Sequence, residues 1–187
     1  MMEPGSDIDA VRKQAILSSL AGFPFLLMFS FTWIAAGALS YLVPRDIVPF
    51  LYWFSGVPAV PIALVIERRV RYVPPPKPDP LLPLAIQLMF IQIVAFPAFI
   101  PFLSVDTGYF PVAMAAVCGA HLLPFQWVFR TRIYGVLGVV IAIAPFLLAL
   151  LLPDKKMHYT GFLVGAALLV GSFCARSHAM ATWIEWL

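Results

Sequence analysis

Ile133-Tyr-Gly-Val-Leu-Gly-Val-Val-Ile-Ala-Ile-Ala-Pro-Phe-Leu-Leu-Ala-Leu-Leu-Leu-Pro153 runs for 21 residues without a charge. At ~1.5 Å per residue a helix of that length reaches ~30 Å, the thickness of a bilayer's hydrocarbon core. Five more uncharged stretches flank it, at 14–44, 47–66, 80–105, 107–129 and 157–175, of 31, 20, 26, 23 and 19 residues. Each is long enough for the ~20 apolar residues that a crossing needs. The fold is therefore read as all-α: a polytopic transmembrane helix bundle of six spans, at about 15–43, 47–66, 81–104, 108–129, 133–152 and 158–176. The stretches take up most of residues 1–187, so the chain is read as a single transmembrane domain with no separate soluble part.

Composition fits that solvent. Hydrophobic residues make up 62% of the chain and charged residues 11%, against ~25% charged in soluble domains. The net charge of +3 matters less than where the charges lie. With the N-terminus cytoplasmic, the inner segments hold Arg12, Lys13, Arg68, Arg69, Arg71, Lys77, Arg130, Arg132 and Arg176. The outer segments hold Arg45, Lys155 and Lys156. Nine against three over short loops is a positive-inside bias, and six crossings return the C-terminus to the same side, N-in and C-in. The expected location is a bacterial cytoplasmic membrane with both termini cytoplasmic. A cleaved signal peptide, with Ala36-Gly37-Ala38 as the cleavage site, fits less well than a helix because the apolar region is too long and Pro24 interrupts it.

Along the chain, Ser6-Asp-Ile-Asp9 reads as a helix start with Ser6 as cap. The first stretch, 31 residues or ~46 Å as a helix, is too long for one straight crossing. It is tilted, bent at Pro24, or partly in the headgroups. Val73-Pro-Pro-Pro-Lys-Pro-Asp-Pro80 holds five prolines in eight residues, and 73–80 reads as a stiff Pro-rich cytoplasmic linker. Proline recurs within the stretches at Pro24, Pro58, Pro61, Pro97, Pro101, Pro111, Pro124 and Pro145. Kinked packing accounts for these, although transporters also line their sites with broken helices. In the sixth stretch, Gly161-Phe-Leu-Val-Gly165 has GxxxG spacing, which lets two backbones approach closely, within the bundle or across subunits.

Few polar residues remain to carry chemistry. His121 lies nine positions from Arg130, about 13 Å into the membrane. Ionisable residues at such depth usually face a bundle interior, a cavity or a pathway. Proton relay, solute contact and metal ligation are its functional readings. The plain reading is a neutral imidazole bonded to a carbonyl freed by Pro124. Gln87 and Gln92 sit ~140° apart on the third span, and Gln126 points away from His121. These amides read as interhelical hydrogen-bond glue within the candidate intramembrane set.

Cys118 with His121, and Cys174 with His178, each share a helix face, but the two pairs lie at different depths, so no metal site is expected. Arg68, Arg69, Arg71, Arg130 and Arg132 form a basic inner surface suited to a lipid bilayer with anionic headgroups, with Glu67 paired among Arg68, Arg69 and Arg130. Nucleic acid is not an expected partner. Trp127, Trp183, Trp186 and Tyr72 fit an inner aromatic belt, and Tyr41, Tyr52, Trp53, Tyr109 and Tyr159 an outer one. No serine, histidine and acid meet at one depth, and no cofactor motif is present, so an enzyme is not expected.

The segment Gly119-Ala-His-Leu-Leu-Pro-Phe125, then Arg130-Thr-Arg-Ile-Tyr-Gly-Val-Leu-Gly138, resembles a bacterial family of small multi-span membrane proteins. Its members carry a domain of unknown function, numbered seventy-ten. The run Phe31-Thr-Trp-Ile-Ala-Ala-Gly37 is similar too. The resemblance implies a multi-span fold over most of the chain and no particular activity. The functional reading adopted from the residues is a small solute or ion passage, transporter- or channel-like and oligomeric, with His121 and the kinked spans lining the route. The alternative is an accessory or scaffolding subunit of a membrane complex, and an intramembrane enzyme is a distant third.

Overall fold

The computed structural model describes residues 4–187, with side chains for residues 8–187 other than Met89 and Phe96. The chain is all helix and turn among those residues. Eight α-helices follow in order: α1 (Pro4–Ser19), α2 (Phe23–Leu39), α3 (Val48–Val70), α4 (Leu82–Ala95), α5 (Ile100–Val105), α6 (Phe110–Val128), α7 (Ile133–Leu151) and α8 (Lys156–Ile184). Six segments are long and apolar enough to cross a membrane: Ile8–Leu39, Val48–Val70, Leu82–Val105, Thr107–Val128, Ile133–Leu151 and Lys156–Ile184. Helices are the required answer in hydrocarbon, where no water is present to satisfy backbone N–H and C=O groups.

Helix α1 begins at Pro4, ahead of Ser6, so Ser6 is not its cap, and the Ser6 side chain lies outside the described residues. The first span is not one rod. Leu20, Ala21 and Gly22 take left-handed φ values of 52°, 50° and 76° between α1 and α2. The break thus falls just before Pro24, which sits in the first turn of α2. Proline there gives up only an N–H that has no helical partner anyway. The same holds for Pro97, Pro101 and Pro111, each in the first turn of its own short or long helix. Pro58, Pro61, Pro124 and Pro145 are the true interior prolines. The third span is the most broken, passing from α4 through a 3-10 turn, Phe96–Phe99, into α5.

Two tight helix pairs make the core. In the first, α8 lies against α2 with almost no side chain between them. A Cβ on Gly161 would sit 2.7 Å from both Gly37 Cα and Trp33 O, and one on Gly165 2.8 Å from Ser30 O. The Gly161 and Gly165 spacing therefore serves a contact inside the chain. In the second pair, a Cβ on Gly138 of α7 would lie 2.7 Å from Gly119 O of α6. Helices α7 and α8 join the two pairs, α3 packs on α2, and the third span packs on the outside of α6.

Polar links fix the ends. Buried Tyr52 donates from its hydroxyl to Met157 O at 2.8 Å, so it is a core residue and not part of an aromatic belt. Tyr134, also buried, donates to Ala21 O at 2.5 Å and holds the left-handed turn. His178 Nε2 donates to Phe129 O at 2.9 Å. Tyr72, at the start of the Pro-rich 73–80 segment, donates its N–H to Leu17 O at 3.2 Å and stacks on Trp183 with ring centres 5.3 Å apart. Lys13 lies over the Trp186 ring at 5.1 Å, which puts the first and last helices at one end of the bundle, here termed the basic end.

Candidate functional site

The polar residues inside the bundle gather along one seam, between α4 and α6. Gln92 on α4 donates from Nε2 toward Cys118 Sγ on α6 at 3.7 Å. One turn nearer the basic end, the His121 ring faces the backbone of Leu88 on α4. Spacings of three on α6 and four on α4 make these two consecutive rungs of one ladder. No bond from His121 to a carbonyl freed by Pro124 is present among the described residues; the ring faces the neighbouring helix. Its Nδ1 is buried and has no hydrogen-bond partner among the described residues. Phe125 packs edge-on to the ring at 5.4 Å.

Beside the seam is a cleft of about 60 Å³, bounded by α2, α3, the third span and α6. Trp33, Tyr52, Trp53, Met114 and Cys118 line it, and Gln92 is among its few polar walls. Such a volume accepts about four water-sized groups. No lining residue carries a charge, so nothing there would offset the desolvation of an ion. His121 is not a lining residue; it lies one helical turn deeper than Cys118.

Of the four intramembrane candidates, the fold joins two. His121 and Gln92 share the seam, whereas Gln87 is exposed on α4 and Gln126 is exposed on α6. The Gln126 amide lies directly over the Cα of Gly135, where a Cβ could not fit, and so fills a notch on α7. The expected ion-pair network around Glu67 is not formed. Among the described residues Glu67 has no ion-pair partner within 4 Å, and Arg130 pairs with Asp9 of α1 at 3.2 Å. The α1 helix returns to the basic end and reaches Arg130 first. Arg68, Arg69 and Arg132 are exposed, and Arg71 is half-buried.

Sequence reading overlooked a cluster at the opposite end. Lys156 is buried and pairs with Asp106 at 2.8 Å, with the Tyr109 ring 4.3 Å from its ammonium. That hydrogen bond, aided by the Gly108 amide, holds the Asp106 carboxyl below the usual carboxylate range. His158 Nδ1 lies 2.6 Å from Ser40 Oγ, and its ring stacks on Tyr41 at 4.1 Å. Ser40 Oγ also lies 2.6 Å from Gly37 O, so the hydroxyl is shared between the α2 backbone and the His158 ring. The signal for this cluster was faint: Lys156 counted only as an outer basic residue, and Asp106, its partner, is fifty positions away in the sequence.

A family model described as a family of unknown function, DUF7010, matches residues 8–177. The chain belongs to that family. The match runs from the first turns of α1 to the last third of α8, so five of the apolar segments and most of the sixth fall in the shared region. It includes the seam, the cleft and the glycine contacts of α2 with α8. No match to the chain is found among curated proteins or among solved structures.

Proposed function

We propose that the protein is a non-enzymatic passage for small uncharged solutes across a cell membrane, with its basic end cytoplasmic. The supporting observation is the uncharged cleft beside the Gln92–Cys118 rung, in contact with the one span that is both broken and loosely held. Only 12% of the Leu82–Val105 window is buried, against 50% for the first span and 44% for the fourth and sixth. A loosely packed, interrupted helix is the element that moves at least cost, and its breaks at Pro97 and Pro101 fit the discontinuous helices that line transport sites. Aromatic walls exclude ions, and the Gln92 amide offers a donor and an acceptor to a neutral polar group.

The test locks the moving element. Gln92→Cys, placed with Cys118 in a Cys174→Ser background, is oxidised in proteoliposomes, and thiol titration reports the cross-link. Glycerol and urea flux, followed by stopped-flow light scattering, should fall to the protein-free rate on oxidation and return on reduction. Unchanged flux through the cross-linked protein sinks the passage reading. The same shallow burial of the third span favours a second reading, an accessory subunit whose partner covers that span. It predicts flux at the protein-free rate before oxidation too, and a larger particle when the protein is extracted mildly from its own membrane.

A further inference from the structure

The basic end holds an arrangement that bulk surface charge does not explain. The Arg12 guanidinium lies 3.6 Å from the centre of the Trp127 ring, flat-stacking distance, and its side chain is only 14% exposed. Among the described residues its nearest carboxylate oxygen, Asp9 Oδ1, is 3.6 Å away, too long for a hydrogen bond. The same oxygen sits 3.2 Å from Arg130, which takes most of that charge. Arg12 Nε has no acceptor among the described residues. A guanidinium has five N–H donors, so this one is fixed in place by an aromatic ring and left largely unbonded at its edge.

The neighbourhood adds to the imbalance. Arg130 is half exposed, at the left-handed residue (φ 50°) that ends α6, where the Thr131 amide bonds back to Gln126 O at 3.3 Å. Arg132 caps the N-terminus of the 19-residue α7, and that helix has no acid in its first turn. Among the described residues, Asp9 is the one carboxylate within 4 Å of Arg12 and Arg130, and Arg132 adds a third cation at the positive end of the α7 dipole. Trp127 is half exposed, and a tryptophan at the end of a spanning helix marks the headgroup level. We propose that Arg12, stacked on Trp127 of α6, together with Arg130 and with Arg132 at the start of α7, binds the phosphate group of an anionic phospholipid. Arg12 presents a preoriented fork to the phosphate, Arg130 is exposed enough to turn from Asp9 toward it, and Trp127 packs against the glycerol and upper acyl chain.

The test is native mass spectrometry of the full chain with phosphatidylglycerol and with phosphatidylcholine. Phosphatidylglycerol should stay bound under activation that strips phosphatidylcholine. Arg12→Gln/Arg130→Gln should weaken phosphatidylglycerol binding by about thirtyfold, the effect of two cations at a membrane surface. Arg130→Gln/Arg132→Gln, which changes only exposed side chains, should give a loss of the same order and covers the case in which loss of Arg12 harms the fold. Arg68→Gln/Arg69→Gln removes equal charge at the end of α3 and should change binding less than threefold. An equal loss in that control would reduce the site to diffuse attraction and overturn the proposal. Displacement of the lipid by millimolar inorganic phosphate would also overturn it, by making the site one for a soluble anion.

Discussion

Tyr134→Phe isolates the contact that holds the bend in the first span. The phenol ring is buried between Phe125 and Phe129, with ring centres 5.7 and 5.3 Å away, and phenylalanine preserves that packing. Only the hydroxyl is lost, together with its bond to Ala21 O. Ala21 and Leu20 are left-handed without being glycine, each at a cost of about 1–2 kcal/mol. The turn therefore stores strain that its tertiary contacts must offset. A carbonyl left unpaired in the interior costs about 1–3 kcal/mol, so about 2 kcal/mol is expected for the substitution. For a chain of this length that is about 4–8 °C in Tm. The assay is thermal unfolding in detergent, followed by the loss of the monodisperse peak on size exclusion. Tyr159→Phe, at a half-buried position, is the control and should move Tm by less than about 1 °C. Ala21→Gly should recover part of the Tyr134→Phe loss, because glycine adopts the left-handed conformation without strain. Should Tyr134→Phe melt with the parent protein, the hydroxyl does not support the turn and the reasoning fails.

Further substitutions probe other contacts. Gly165→Leu should cost more than about 3 kcal/mol and abolish the monodisperse peak, since even its Cβ would press on Ser30 O. Gly56→Ala meets only the Phe29 ring at 3.2 Å and should shift Tm by less than about 3 °C. Asp106 has a folded pKa below its unfolded value, so its pairing with Lys156 stabilises above pH ~4 and is lost as pH falls through the folded value. The carboxylate is a third exposed, so about 1 kcal/mol should vanish between pH 6 and pH 3. Asp106→Asn should melt lower at pH 7 and show a smaller drop over that range. A cysteine at Asp154 should react with an impermeant thiol reagent added outside intact cells, and one at Lys77 only after permeabilisation. The reverse pattern would invert the orientation.

Architecture was legible because its signals are long. An apolar run of about 20 residues leaves a helix as the only stable choice in hydrocarbon, and the Gly161–Gly165 spacing announces close packing before its partner is known. The partner, α2, was not legible, because Gly37 stands alone without a repeat to mark it. The bend at Leu20–Gly22 was misplaced toward Pro24 since proline is the usual mark of a break, whereas here strain on ordinary residues is held by a tyrosine more than a hundred positions away. Tyr52 looked like a belt residue by its place near a span end; only tertiary packing shows that its hydroxyl reaches Met157. In the candidate site, His121 stood out by depth alone, but its rung to Leu88 and the parallel Gln92–Cys118 rung depend on how α4 lies on α6. Helix register against a neighbour is not written in either helix separately.

Stability is distributed unevenly, and that bears on motion. Helices α2 and α8 meet backbone to backbone, are closed at one end by Tyr52 and by Ser40 with His158, and carry the left-handed turn braced by Tyr134 at the other. The third span is held differently: among its described residues Gln92 meets Cys118 and Phe99 packs edge-on to Phe110 of α6, but a 3-10 turn interrupts it and a stiff proline segment precedes it. Cooperative units open in order of their buried contacts, so the third span is the first to part from the bundle. Its departure removes the Gln92 amide from Cys118 and so exposes the thiol. Alkylation of Cys118 therefore reports opening of the seam directly. A rate that rises when Gln92→Leu removes one rung, while Tm stays within a few degrees of the parent, would place the motion in this span and leave the α2–α8 pair as its fixed frame.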